Sequence, residues 1–271
     1  MFYILLTLFG CLTGITAVLF GFGGGFVVVP LLYRLLSASH GADDPIGQSA
    51  MHIAVATSTC VMIVNALIAT DKHRRAGNLI RHYLWPLGSF IALGAILGAI
   101  AAVWVSGEVI RYAFIVYLGV TIIDCLLRRG FLSRSEGIIP RRLSSTETSA
   151  GGVGIGAIAT FLGVGGSVMT VPLLRRCGLS MSQATSMANP LSVPVAVAGT
   201  LTYMALARFS QAELGAWFVG YVDLLAFAVL TLGSLVGIRL ATPWIGRIAD
   251  RVHVWVYIAL LMMVMISLGV S

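Results

Sequence analysis

The sequence predicts an all-α polytopic membrane protein made of two inverted repeats, each a glycine-rich re-entrant or broken helical hairpin followed by three transmembrane helices. Three observations lead there. First, 58% of the 271 residues are hydrophobic and only 10% charged, and the mean hydropathy is +0.98; soluble domains carry about 25% charged residues. Second, glycine clusters interrupt two of the apolar runs. Third, the order of landmarks in the first half recurs in the second.

The chain opens on the uncharged run Met1 to Tyr33. It lacks a basic leader and a cleavage context, so it is read as mature protein rather than a signal peptide. The run contains GFGGGFVVVPLL, residues 21–32, with four glycines in five positions. Glycine costs roughly 1 kcal/mol against alanine inside a helix, so the cluster marks a break. Met51 to Thr70 is uncharged and has the roughly 20 residues a crossing needs. Two more crossings follow, separated by the loop around 106–111, the first carrying Gly94 and Gly98 at a spacing that suits close helix packing.

A shift of 142 residues lays LFGFGGGFVVVPLL (19–32) over FLGVGGSVMTVPLL (161–174) and matches Gly14 with Gly156. Ala56-Thr57-Ser58 then corresponds to Ala184-Thr185-Ser186, and Gly94/Gly98 to Gly233/Gly237. Ordered landmarks with changing offsets indicate an internal duplication with loops of different length. The halves are 1–130 and 148–271, joined by a linker at 131–147. In the second half the uncharged run Thr148 to Leu174 forms the hairpin and Ala184 to Ala207 the next crossing.

Charge sets the orientation. Of seventeen Lys and Arg, four lie within 71–81, five within 128–142 and three within 239–251, whereas 34–50, 106–111 and 207–213 hold one each. The rich loops 71–81, 128–147 and 239–251 are expected in the cytoplasm. If the second glycine-rich segment enters and leaves on that side, fourteen basic residues fall inside and three outside; a full crossing gives ten and seven. Each half then has an odd number of crossings, which inverts the second relative to the first. Inverted repeats place paired broken helices around a midplane substrate site.

At such a site the second arm of each hairpin starts at glycines, so its free N–H groups and positive dipole end suit an anion. The spans around 57–65 and 185–192 add Thr57, Ser58, Thr59, Asn65, Thr185, Ser186, Asn189 and Ser192, and no acid. The expected substrate-binding set is Gly23, Gly24, Gly25, Thr57, Ser58, Gly165, Gly166, Ser167, Thr185, Ser186 and Asn189. His52, with a near-neutral pKa, and Asp223, inside the seventh apolar segment, are candidates for ion coupling. Pro30 and Pro172 are read as shaping the ends of the hairpin arms. Cys11, Cys60, Cys125 and Cys177 are widely separated and form no disulfide or metal pattern. No catalytic constellation is expected: Ser167 follows Gly165-Gly166, but no histidine lies deep in a span to activate it.

The paired segments ending in Val-Pro-Leu-Leu, the Ala-Thr-Ser after each and the chain length resemble the sulfite exporter TauE/SafE family of membrane anion permeases, over nearly the whole chain. The resemblance implies secondary transport of sulfite or a small organosulfonate such as sulfoacetate, in the export direction, across a bacterial inner membrane. Ser167 departs from the first half, which has Gly25 there. The implied partners are a small anion and the lipid bilayer, with a homodimer as an option and no cofactor, metal ion or nucleic acid. A passive anion channel of the same architecture shares all these features.

Overall fold

The computed structural model describes residues 2–41, 44–127, 140–206 and 214–269. Eleven helices run through them in the predicted order. Helix α1 (Phe2–Phe20) breaks at Gly21–Gly24 and continues as α2 (Gly25–Ser39). After the short α3 (Pro45–Gln48) come α4 (Ala50–Arg75), α5 (Leu87–Val103) and α6 (Gly107–Leu127). The second series is α7 (Ser145–Phe161), a break at 162–166, α8 (Ser167–Arg176), α9 (Met181–Leu206), α10 (Leu224–Ala241) and α11 (Asp250–Gly269). Residues 131–139 of the expected linker lie outside the described residues, and α7 begins within its last positions.

Five helical segments are long and apolar enough to cross a membrane: Ala50–Arg75, Arg81–Val103, Gly107–Leu127, Leu224–Trp244 and Asp250–Gly269. The long α9 is not among them, because Pro190, Pro194, Asn189 and a run of Ser and Thr lower its hydropathy. It is instead an inner helix, packed chiefly against α4, α5 and α8. Leu97, Val116, Val120, Leu232, Val236 and Met263 are exposed on the outer helices, while Thr59, Asn65, Asn189 and Ser192 are wholly buried. Apolar residues outside and polar residues within suit a protein whose solvent is lipid.

Glycine explains the tightest helix pairs. A Cβ on Gly94 or Gly98 of α5 would run into the carbonyls of Val153 or Ala157 on α7. One on Gly14 of α1 would strike Ser234 of α10, and one on Gly237 would strike Cys11. In both pairs the contact positions rise together along the two helices, so the pairs are parallel. The first arm of each broken hairpin therefore packs on a helix from the other half of the chain, backbone to backbone.

Two ends of the bundle are defined by long-range bonds. At one, Tyr83 Oη donates to Arg141 O (2.7 Å), Arg141 N donates to Cys177 O (2.9 Å), and Arg176 pairs with Asp124. Residues just before α7 and just after α8 are thus neighbours, so the second hairpin starts and finishes at one end. At the other, Arg34 Nε donates to Ser267 O (2.9 Å) and Arg111 Nε to Leu268 O (3.0 Å). Exposed Trp85 and Trp244 mark the first end, Trp104 and Trp217 the second, as interfacial aromatics do.

The all-helical expectation meets one small exception. Phe218–Val219 and Val222–Asp223 form an antiparallel two-stranded hairpin, with Phe218 opposite Asp223, turning at Gly220, where φ is +63°.

Candidate functional site

The first break is a left-handed reversal, with φ of 74°, 62° and 100° at Gly21, Gly23 and Gly24. Side chains with a Cβ adopt such angles at a cost of about 1–2 kcal/mol each. In the second break only Gly163 is left-handed, at 69°; Gly166 has φ −57° and leads directly into α8. Neither Gly24 nor Gly166 caps its helix with a side chain, so the first-turn N–H groups of both arms have no capping side chain. Pro30 and Pro172 are each the sixth residue of their arm; they lie within the arms rather than at their ends.

The two breaks meet in the centre of the protein. A Cβ on Gly25 would collide with Gly163 O, and one on Gly165 would stand 3.0 Å from both Phe22 O and Ser192 Oγ. Gly23 and Gly165 share Met62 and Ser192 as neighbours, and Gly24 faces the Asn65 amide. Residues 21–25 and 162–168 are all buried. Aromatic rings close one flank: Phe22 stacks on Phe26 (centroids 4.4 Å) and on Tyr257 (5.0 Å).

The polar residues divide by whether their hydrogen bonds are already used. Ser58 Oγ lies 2.7 Å from Val55 O and 2.7 Å from Gly163 O, one hydrogen shared between its own helix and the opposing break. Thr57 Oγ1 accepts from Asp223 N (3.0 Å). Thr185 Oγ1 donates back to Met181 O or Ser182 O, and Ser186 contacts His73 Nδ1 (3.0 Å). By contrast, Ser167 Oγ, Asn65 Nδ2 and both amide atoms of Asn189 are buried without a hydrogen-bond partner. Asn189 sits four residues after Thr185 and three before Ser192, so all three share one face of α9. Among the described residues no Asp or Glu is buried.

The coupling candidates occupy other ground. His52 Nε2 bonds Ala102 O (3.2 Å) and Val105 O (3.0 Å), tying α4 to the end of α5, and its ring lies against Tyr221. Asp223 was expected well inside an apolar span but stands at its start, where its carboxylate accepts from Leu225 N (2.9 Å) and Ala226 N (3.0 Å). The apolar hairpin before it hid that boundary. All four cysteines are free. Among the described residues no group of three or more His, Cys, Asp or Glu could hold a metal.

The sulfite exporter TauE/SafE family matches residues 6–268, from the first arm of the first hairpin to the end of α11. The chain belongs to the TauE/SafE family. A probable membrane transporter protein of Haemophilus influenzae is 23% identical over 236 residues, which is 86% of this chain and 85% of that protein. Another, from Methanocaldococcus jannaschii, is 22% identical over 230 residues, 81% of this chain and 78% of its own. No solved structure matches the chain. This TauE/SafE protein is thus a multi-pass membrane transporter and not an enzyme. Sequence reasoning missed Met62, which touches both breaks, and the aromatic flank, because apolar residues inside apolar helices carry no distinguishing signal. It also missed the buried histidines His73 and His253, which lie close in sequence to the charged loop residues.

Proposed function

We propose that the protein is a secondary carrier that exports a small anion, sulfite or a small organosulfonate such as sulfoacetate, across a bacterial inner membrane. The anion binds between the two glycine breaks. One observation carries this reading: beside the meeting point of the breaks, Ser167 Oγ and the Asn189 amide are buried without partners, while Ser167 opens a helix whose first-turn N–H groups have no capping side chain. A buried polar group left unsatisfied costs about 1–3 kcal/mol, so a ligand that supplies the partner is favoured. With hydroxyl, amide and N–H donors and, among the described residues, no buried carboxylate, the preferred ligand is an anion.

Complete burial of both breaks supports a carrier over an open channel, since the site is shut off from both ends and needs a conformational step to load. The parallel α1–α10 and α5–α7 pairs support two repeats, 1–130 and 148–271, exchanging their hairpins. The arginine-rich end, with loops 71–81, 128–147 and 239–251, is then cytoplasmic. Purified protein in liposomes should move radiolabelled sulfite or sulfoacetate, and Asn189→Leu should weaken that transport several-fold, as expected for one or two lost hydrogen bonds of about 1 kcal/mol each. Cysteines placed beside Ser144 and Arg176 in the same vesicles should label from one side. Protein-dependent movement of amines but of no anion would refute the substrate class, and labelling from opposite sides would refute the topology.

A further inference from the structure

The arginine-rich end holds a cluster that the anion site does not use. Two buried imidazoles, His73 near the end of α4 and His253 in the first turn of α11, grip the last turn of α1. His73 Nε2 lies 2.8 Å from Val18 O and His253 Nε2 2.8 Å from Leu19 O, and a carbonyl only accepts, so both Nε2 atoms carry hydrogen. Those carbonyls stand immediately ahead of the Gly21–Gly24 break. Both rings line a cavity of about 10 Å³, with Ser182, Thr185 and Trp244 among its other walls. That is room for about one water and too little for sulfite.

Counting hydrogens at His73 separates this cluster from a simple staple. Ser186 Oγ is 3.0 Å from His73 Nδ1 and 2.7 Å from Ser182 O, and a hydroxyl has one hydrogen to give. With a neutral ring, that hydrogen serves either Nδ1 or Ser182 O. With a proton on Nδ1, the ring donates to Ser186 Oγ, the hydroxyl donates to Ser182 O, and every contact is made. At His253, Nε2 is engaged by Leu19 O while Nδ1 is buried with no partner.

One feature of the surroundings favours a proton. The rings sit at the carbonyl end of α1, the negative end of its dipole, where cationic histidine is stabilised. Asp250 of α11 and Arg175 of α8 lie nearby but are paired with each other (3.1 Å). The walls from α1, α9 and the segment before α11 are neutral: Val18, Leu19, Ser182, Thr185, Trp244, Ile245, Gly246 and Ile248.

We propose that His73 and His253 form the proton-binding site of the carrier, coupled to the first hairpin through Val18 and Leu19. A proton from the solvent at this end binds His73 Nδ1, and the Ser186 hydroxyl turns from Nδ1 to Ser182 O. The bond from Nε2 to Val18 O becomes charge-assisted and stronger. The tip of the hairpin is held more firmly when the proton is bound and released when it leaves. This inference rests on the carrier reading and names its coupling ion.

His73→Gln and His253→Gln keep an N–H for the α1 carbonyls and cannot take up a proton. In liposomes clamped at zero membrane potential, a pH gradient should drive sulfite accumulation in the unmodified protein, about ten-fold per pH unit for one proton per anion. The double glutamine variant should exchange sulfite downhill and accumulate none. Unchanged accumulation in that variant, or sulfite transport by the unmodified protein that ignores the gradient, overturns the proposal. A second readout needs no transport: fluorescence assigned to Trp244 by Trp244→Phe should change on acidification as the rings take up a proton, and the double variant should lose that titration. Its survival overturns the proton site. If the unmodified protein moves no anion, the carrier reading falls, and the fluorescence titration alone decides the histidine site.

Discussion

The two hairpins align in sequence yet are secured by different sets of bonds. The second is fastened at its base. Arg141 N donates to Cys177 O, Arg141 grips Glu147, Arg175 pairs with Asp250 and Arg176 with Asp124. A capping box at Ser144 and Glu147 starts its first arm. The first hairpin is fastened at its tip, where His73 and His253 hold Val18 O and Leu19 O and three left-handed glycines make the turn. Even the repeated Ala-Thr-Ser triplet works differently in the two halves. Ser58 reaches the opposing break directly at Gly163 O, whereas Ser186 reaches the opposing arm through His73. The two breaks meet at one place, yet each hairpin is held there by different bonds.

The largest test of that difference lies in the apex glycines. Gly24 has φ +100°, and a Cβ there would strike the Asn65 amide and approach Thr13 Cγ2 to 2.8 Å. Gly24→Ala should therefore lose roughly 2–4 kcal/mol of stability, combining the left-handed cost with overpacking. Gly166 has an ordinary φ, and its Cβ would stand 3.3 Å from Ile155 Cγ2 and 3.6 Å from Val195 Cγ2. Gly166→Ala should cost about 1 kcal/mol or less and fold normally. Thermal melts in detergent check both. Equal destabilisation would mean that the two breaks bear the same strain.

Much of this was legible in the sequence because glycine, proline and charge are local signals. The breaks at 21–24 and 162–166 stand where the repeated glycines predicted them, and Gly94, Gly98, Gly233 and Gly237 sit in close helix contacts. The partners in those contacts were not legible. Nothing in α5 says that its small face meets α7 rather than a neighbour in its own half, since pairing of helices depends on shapes far apart in the chain. The same holds within the candidate site. The Ser and Thr residues read as donors were found, but whether a hydroxyl is free, as at Ser167, or already committed, as at Ser58, depends on residues more than a hundred positions away.

A smaller effect should separate the two serines of the repeated triplet. Ser58→Ala removes the hydroxyl from a buried carbonyl of the opposing break, which should cost about 1–2 kcal/mol. Ser186→Ala leaves the bond between His73 and Val18 O intact and removes only the relay behind it, so about 1 kcal/mol or less is expected. Melts of both variants in one buffer at neutral pH rank them. The reverse order would show that the histidine grip on the first hairpin depends on Ser186 more than the second hairpin depends on Ser58.

The smallest effect concerns the base of the second hairpin and its response to acid. Glu147 accepts from Arg141 through both oxygens (2.6 and 2.8 Å) and from Ser144 N (2.9 Å). The Arg141 guanidinium, and after it the Ser144 N–H, hold its carboxyl down at about 2, against an ordinary value of about 4.3. A carboxyl depressed by folding contributes stability that is fully present above the unfolded value and is lost as pH falls through the folded one. The contribution should therefore hold at neutral pH and fade between about pH 4.3 and 2. Because the pair is substantially exposed, it is worth only about 0.5–1 kcal/mol. Glu147→Gln tests this cleanly, since glutamine can still complete the capping box while losing the charge. The variant should melt slightly below the unmodified protein at pH 7, and the gap should close on acidification. A gap that persists unchanged at low pH would assign the effect to the cap and not to the ion pair, leaving the base of this hairpin held by the remaining arginine contacts alone.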